Sequence, residues 1–415
     1  MTAFIDALRS GAWLTRERVR LVALAVLAAS VIGTGFLLVT SDGLNDRLGR
    51  PLGTDFANVY AAGSYVLDGD AAAPFDPARQ FAREQATFGH ETQFYGWHYP
   101  PFFLGVAALL ALMPYALALA VWQGATLALY LWGIRGIAGS FAQDRLLPLL
   151  ALAFPAVFIN LGHGHNGFLT AAIFAAALLQ LDKLPIVAGV LFGLLAYKPQ
   201  FAMLVPLVLA ASGRWRTFAA AAATVVLLAL AVTAAFGPEV WRAFIASTKF
   251  TRDVVLERGD TGWYKIQSVF SWVRMWGGGV TLAYAVQGAV SVAVAGALVW
   301  LWRSPASFAV KASALLIGTV LATPYSLDYD LMLLAPAIGF LTADGFGRGV
   351  EPNFAPWEKT LLAALWIVPL VTRSVAQATL IPLAVPLMLV AFGFLLQRAM
   401  RSPIPQASGI FGSAP

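Results

Sequence analysis

Apolar residues run through this chain in long blocks separated by short polar breaks. The blocks fall at about 21–40, 101–113, 116–135, 146–161, 166–181, 184–197, 198–212, 216–236, 280–302, 307–322, 329–343, 359–374 and 378–398. A helix that crosses a bilayer needs roughly 17–25 apolar residues. The pattern therefore predicts an all-α polytopic membrane protein with about 12 transmembrane helices (range 11–13). With both termini in the cytoplasm the number of crossings is even, so one block is partial or fused to a neighbour. Either 101–135 makes one net crossing, with the piece before Met113-Pro114 interfacial or re-entrant, or 184–212 is one helix broken at Lys198-Pro199. The first arrangement is preferred, because it keeps Arg135 and Arg145 on the cytoplasmic side.

Two long polar segments, about 41–99 and 237–279, are predicted outside the cytoplasm. The first carries an excess of acids. The second is rich in aromatics (Trp241, Phe244, Phe250, Trp263, Tyr264, Trp272 and Trp276), the composition of amphipathic helices at a membrane surface. The block Leu21–Val39 follows basic residues but is long enough to span and shows no small-x-small cleavage site, so it reads as an uncleaved first helix. Residues 1–400 are expected to form one membrane domain. Residues 401–415, with their Pro, Ser and Gly, are expected to be a disordered cytoplasmic tail.

Composition sharpens this picture. Of 415 residues, 59% are hydrophobic and 12% charged, about half the charged share of a soluble domain. The net charge of +6 is no nucleic-acid signal. Many of the basic residues stand in short clusters between apolar blocks, at Arg16, Arg18 and Arg20, at Arg135 and Arg145, at Arg214 and Arg216, and at Arg398 and Arg401. That is the pattern of the positive-inside rule. The absence of cysteine excludes disulfides and thiolate metal sites.

Against this background a few polar residues stand out. Asp55 follows Thr54, a candidate helix N-cap, which places its carboxylate in a first turn where the helix dipole favours the ionised form. Such a group can act as a general base. Trp97-His98-Tyr99-Pro100-Pro101 opens the next apolar block, with the prolines suited to a helix start. Asn160-Leu161-Gly162-His163-Gly164-His165-Asn166-Gly167 is a polar, glycine-rich break, tolerated at membrane depth where it lines a cavity. His163 and His165 without a nearby carboxylate are a weak metal signal, and no metal is expected. Lys198, in Tyr197-Lys198-Pro199-Gln200, is an ionisable group between apolar stretches and a functional candidate by default. Thr323-Pro324-Tyr325-Ser326-Leu327-Asp328-Tyr329-Asp330 opens a further helix; Asp328 and Asp330, two apart, point to different faces.

Taken in order, these motifs resemble the GT-C-fold glycosyltransferases of family 87 (formerly DUF2029), of the polyprenol-phosphate-mannose-dependent mannosyltransferase type. The resemblance covers roughly residues 50–345. It rests on Asp55-Phe56…Tyr60-Ala61-Ala62, Tyr99-Pro100-Pro101, Met113-Pro114…Ala120-Val121-Trp122, Leu161-Gly162-His163…Asn166, Ala188-Gly189…Gly193…Lys198-Pro199 and Thr323-Pro324-Tyr325-Ser326. Two positions depart from the family pattern. His163 stands where glutamine is usual, and Tyr329 and Asp330 stand where many members carry a His-His pair.

The resemblance implies a GT-C-like fold and an inverting transfer at the extracytoplasmic face of the plasma membrane. The sugar, by family default mannose, would pass from a polyprenyl-phosphate donor to a glycolipid or glycan acceptor among the membrane lipids. Asp55 would be the general base. Lys198, with Arg252 and Arg258 in reserve, would meet the lipid phosphate. His98, Tyr99, His163, His165, Asn166, Gln200, Asp328, Tyr329 and Asp330 would contribute to substrate binding. The lipid-linked sugar would be a co-substrate, with no cofactor and no nucleic-acid partner. A transporter or flippase of a lipid-linked sugar is the alternative. It predicts an internal repeat and sites near the midplane, whereas no repeat is visible and the candidates gather toward one face.

Overall fold

Each of those apolar blocks is helical in the computed structural model, which describes residues 2–139, 143–347 and 353–401. The expected tail at 402–415 lies outside the described residues. Among those residues there is no strand, only isolated backbone bridges at Asp42–Asn45, Asn45–Pro51 and Ile266–Leu327. Six helices among the described residues are long and apolar enough to cross a membrane: Arg16–Val39, Tyr115–Ala138, Trp215–Phe236, Val280–Arg303, Asp328–Gly347 and Glu358–Thr379. A seventh crossing arises if Leu146–Leu152 and Pro155–His163, bent by 43°, are one span. The remaining apolar blocks form shorter helices of 10–17 residues. Only 11% of the apolar window of Arg16–Val39 and 6% of that of Trp215–Phe236 is buried by protein. The outward apolar surface of these helices matches lipid rather than water.

The breaks between helices have local causes. Pro199 disfavours helical backbone at the residue before it, and Lys198 sits at φ −131°, ψ 70°, ending the turn Leu195–Tyr197. The helix Leu104–Ala111 stops before Met113-Pro114, and the next starts at Tyr115. The Met113 carbonyl freed there accepts a hydrogen bond from the Tyr60 hydroxyl at 3.0 Å. Both breaks on which the two crossing arrangements turned are thus present. The first-loop helix Thr54–Leu67 packs along Leu104–Ala111, and a side chain at Gly63 would collide with the Ala107 carbonyl.

The two loops are structured, and they meet. In the first, Asp76 caps the helix Pro77–Phe88 by accepting from Ala78 N and Arg79 N at 2.9 and 3.3 Å. In the second, the helix Glu239–Thr251 runs into a π-helical turn, Arg252–Arg258. The sequence placed the second loop's aromatics at the lipid headgroups. Three of them pack on the first loop and its following helix: Phe244 on Phe75 at 5.8 Å, Phe250 on Phe94 at 6.1 Å and Trp241 on Phe102 at 5.2 Å. Further on, Gln267 N donates to Ser326 O at 2.7 Å, and the Thr372 hydroxyl donates to Gln267 Oε1 at 2.7 Å. The second loop therefore ties the first loop to the C-terminal helices, and the polar candidates lie where these parts converge.

The contact at Gly63 gives a direct test. Gly63→Val should destabilise the protein by about 1–3 kcal/mol through overpacking against the Ala107 backbone. Gly105→Ala, where nothing lies within 4 Å of the added carbon, should be close to neutral. Apparent melting temperatures in detergent compare the two; equal values would contradict the helix pairing.

Candidate functional site

Asp55 sits in the first turn of the helix Thr54–Leu67, as its sequence position predicted. The cap is different. Gly53, at φ 69°, precedes the helix, and Thr54 makes no capping bond. The Thr54 hydroxyl instead hydrogen-bonds His163 Nδ1 at 2.7 Å. Glycine is required beside this contact: a side chain at Gly164, itself at φ 63°, would collide with Phe56 and crowd Leu119 and the Gly53 Cα. The glycine-rich break is held in turn by the helix Tyr115–Ala138, with Trp122 Nε1 donating to Gly164 O at 3.2 Å and Gln123 Nε2 to His165 O at 3.4 Å.

The 310 turn Asp328–Leu333 enters from the other side. Asp330 Oδ1 accepts from Lys198 Nζ at 2.6 Å, with both side chains buried. Asp330 Oδ2 accepts from Leu327 N at 3.0 Å. Asp328 Oδ2 accepts from Arg373 at 3.3 Å. The two acids thus face different partners, on different elements. Between them the Tyr329 ring stacks on His165, with centroids 3.5 Å apart and planes at 23°. Asn160, fully buried, donates to Tyr329 O at 2.9 Å and accepts from Gly167 N at 2.9 Å. His165 Nε2 lies 3.3 Å from the Tyr99 hydroxyl and 3.5 Å from Lys198 Nζ.

Asp55 is half-buried. Burial pushes its carboxyl up to about 6, opposed by the nearby Tyr329 and by the charges of Lys198 and Lys265. Of the three neighbouring carboxylates, Asp328 and Asp330 each have a cationic partner, whereas Asp55 forms no ion pair among the described residues. It is thus a carboxylate poised to take a proton near neutral pH.

The outer rim comes from the loops. Glu84, buried on the helix Pro77–Phe88, accepts from Tyr95 N at 2.9 Å and fixes the segment leading to His98 and Tyr99. His98 Nδ1 and the Thr251 hydroxyl hydrogen-bond at 2.8 Å, linking the two loops. Burial lowers the His98 imidazole to about 4, so it is neutral. Asn166 Oδ1 and Nδ2, His165 Nδ1 and the Ser326 hydroxyl are buried without a hydrogen-bond partner among the described residues. Buried polar groups normally find partners, so these atoms suit a ligand rich in hydroxyls. Gln200 is half-buried and makes no hydrogen bond to the cluster among the described residues.

Two cations were missed in the sequence. Lys265 Nζ and the Arg373 guanidinium both lie over the Tyr264 ring, at 5.9 and 5.8 Å. Lys265 makes no ion pair among the described residues, and Arg373 is only loosely paired with Asp328. Arg373 carried the same signal as Lys198, an ionisable group in an apolar helix. Lys265 carried none beyond its place among aromatics. Arg252 and Arg258 are exposed and pair with acids of their own loop, Arg252 with Asp253 and Glu257 at 3.2 and 3.3 Å and Arg258 with Asp260 at 3.5 Å. His163 and His165 face different partners, and among the described residues no three of His, Asp and Glu converge as metal ligands would.

The buried ion pair makes a prediction for stability. Lys198→Met alone should cost about 3–5 kcal/mol, because it strands the buried Asp330 charge, and Lys198→Met with Asp330→Leu should recover most of that loss. Thermal unfolding of the single and double variants measures it; additive losses would contradict the pairing.

The family model of glycosyltransferase family 87 matches residues 97–324, more than half of the chain. The match includes His98, Tyr99, the 160–167 break, Lys198 and Lys265. It begins after Asp55 and ends before Asp328. No curated protein and no solved structure matches the chain.

Proposed function

The chain belongs to glycosyltransferase family 87, and from that premise we propose that it is an inverting hexosyltransferase that takes its sugar from a polyprenyl-phosphate donor. The observation that carries the mechanism is the isolation of Asp55. It alone of the three clustered carboxylates is free of an ion pair among the described residues, and burial pushes its carboxyl up to about 6. An ionised Asp55 accepts the proton of the acceptor hydroxyl as that oxygen attacks the anomeric carbon. The sugar–phosphate bond breaks on the opposite face, and the electron pair leaves with the lipid phosphate. A single displacement of this kind needs one base and no carboxylate nucleophile. Asp330 is held by Lys198 and is unsuited to a second role.

The leaving phosphate gains negative charge as the bond breaks, and fixed cations stabilise that charge where water is excluded. Lys265 and Arg373 are the cations with capacity to spare, and Lys198, the residue first suggested by the sequence, orders the site through Asp330. Asn166, His165 and Ser326 offer their unpartnered atoms to sugar hydroxyls. The apolar helices let the polyprenyl chain remain in lipid. Placing the basic clusters at Arg16–Arg20, Arg135, Arg214–Arg216 and Arg398 in the cytoplasm puts both loops and this site on the extracytoplasmic face of the plasma membrane. Mannose is the family's default sugar, and a membrane glycolipid or glycan is the acceptor in this scheme.

Three outcomes follow for enzyme purified into nanodiscs and supplied with radiolabelled polyprenyl-phosphate mannose and membrane-lipid extract. Asp55→Asn, folded as wild type, should transfer at least about two orders of magnitude more slowly; near-wild-type transfer would remove Asp55 from the mechanism. The wild-type rate should fall as pH drops through about 6, because Asp55 is then protonated; a flat profile between pH 5 and 8 would contradict its role as base. Lys265→Ala with Arg373→Ala should lower kcat by roughly 10²-fold or more, the scale of losing a preorganised charge-stabilising group. An unchanged kcat would exclude that pair from the phosphate site.

A further inference from the structure

We propose that a cavity where two helices begin side by side binds the headgroup phosphate of an anionic membrane phospholipid. The cavity, about 400 Å³, lies between the turns 181–185 and 213–217, at the starts of the helices Pro185–Leu194 and Trp215–Phe236. The first of these helices runs on through the turn Leu195–Tyr197 to Lys198. At 1.5 Å per residue the cavity is therefore roughly 20 Å from the Lys198–Asp330 pair. It is separate from the transfer site, and the proposal stands whether or not Asp55 is the base.

A side chain on Gly189 would collide with Thr217 O and Ala220, and one on Gly193 with Thr224 and Ala221 O. These contacts advance in the same direction along both helices, so the helices are parallel and their first turns adjoin. Neither start has a side-chain cap, Leu184 and Arg214 holding the cap positions. The amides of Ile186 and Val187 on one helix, and of Trp215, Arg216 and Thr217 on the other, thus lack a carbonyl partner among the described residues. Two aligned helix dipoles favour an anion there. Thr217 points to a ligand independently. It is 1% exposed and lines the cavity, yet its hydroxyl has no hydrogen-bond partner among the described residues. Buried hydroxyls normally find one.

The charges agree with an anion. Lys183, Arg214 and Arg216 belong to the two turns, with Asp182 as the opposing acid. Asp182 is paired with Arg214 Nη1, while Arg214 Nε is buried without a partner among the described residues. Lys183 and Arg216 are exposed and make no ion pair among the described residues. Arg303 stands alongside, its Nε donating to Ala211 O at 3.1 Å. The surroundings favour a lipid over a soluble anion. Trp215, 61% exposed, suits the headgroup level, and Ile186, Val187 and Val226 turn apolar side chains outward. A ligand with its phosphate in the cavity lays its acyl chains along that surface. Basic pockets between helices at the cytoplasmic side hold anionic headgroups in this way, and that is the side to which the positive-inside rule assigns Arg214 and Arg216.

Native mass spectrometry of the full chain in detergent tests this, with phosphatidylglycerol, phosphatidylcholine and inorganic phosphate as probes. Wild type should retain one phosphatidylglycerol at least about tenfold more tightly than phosphatidylcholine. Arg216→Gln should weaken that binding about fivefold, and Thr217→Val about tenfold. Both variants should keep the lipid-free melting temperature, because neither side chain has a partner to lose. Arg216 is exposed, so its variant still decides the matter if Thr217→Val does not fold. Inorganic phosphate at the same concentration should leave the bound lipid in place. Equal retention of the two lipids, or phosphatidylglycerol binding unchanged in Arg216→Gln, would overturn the proposal. Displacement of the lipid by equimolar inorganic phosphate would also overturn it, making the cavity a site for a soluble anion.

Discussion

Lys198 and Asp330 meet at 2.6 Å inside the protein, 132 positions apart in the chain. Two charges taken out of water are costly unless they satisfy one another, so this contact cannot be loosened without penalty. Lys198 stands at a helix break that Pro199 enforces, and Asp330 stands in the turn that opens the helix at Leu334. The pair therefore locks two breaks together, and the space between them takes its shape from that lock. Tyr329 is carried into place against His165, its ring stacked on the imidazole at 3.5 Å.

The site grows outward from this pair in layers. The 160–167 break supplies the surface against which both the Asp55 helix and the Tyr329 turn register. The first loop brings Asp55, His98 and Tyr99. The second loop spans from the first loop's aromatics to Thr372 and carries Lys265 between them. Each acid then has its own circumstance. Asp330 is held by Lys198, Asp328 is loosely met by Arg373, and Asp55 is left without an ion pair among the described residues, its carboxyl pushed up by burial. The single displacement proposed above, which needs one base and one charge-stabilising cluster, is served by that division of roles.

Much of this was legible in the chain. Apolar periodicity gave the helices, and the breaks at Met113-Pro114, 160–167 and Lys198-Pro199 were visible as proline or glycine interruptions. Asp55, the 160–167 histidines, Lys198 and the 328–330 turn were marked by polarity in an apolar context, and the structure brings them together. What was hidden depends on partners far away in sequence. Thr54 reads as a helix cap because local rules favour it, yet His163, 109 positions on, takes its hydroxyl. Lys198 reads as a free cation because Asp330 is nowhere near it in sequence. Arg373 and Lys265 went unmarked in the sequence, 108 positions apart; only the Tyr264 ring shows that they share a place. The number of crossings was not legible for a related reason. Half-length helices such as Gly167–Gln180 and Pro185–Tyr197 are equally apolar whether they span or not.

The stereochemistry of the product tests the central claim most directly. A polyprenyl-phosphate sugar of defined anomeric configuration, transferred by the purified enzyme, should give a product whose glycosidic linkage has the opposite configuration by NMR, because one displacement assisted by Asp55 inverts the anomeric carbon. Retention would contradict the account, since it requires a second displacement and a carboxylate acting as nucleophile.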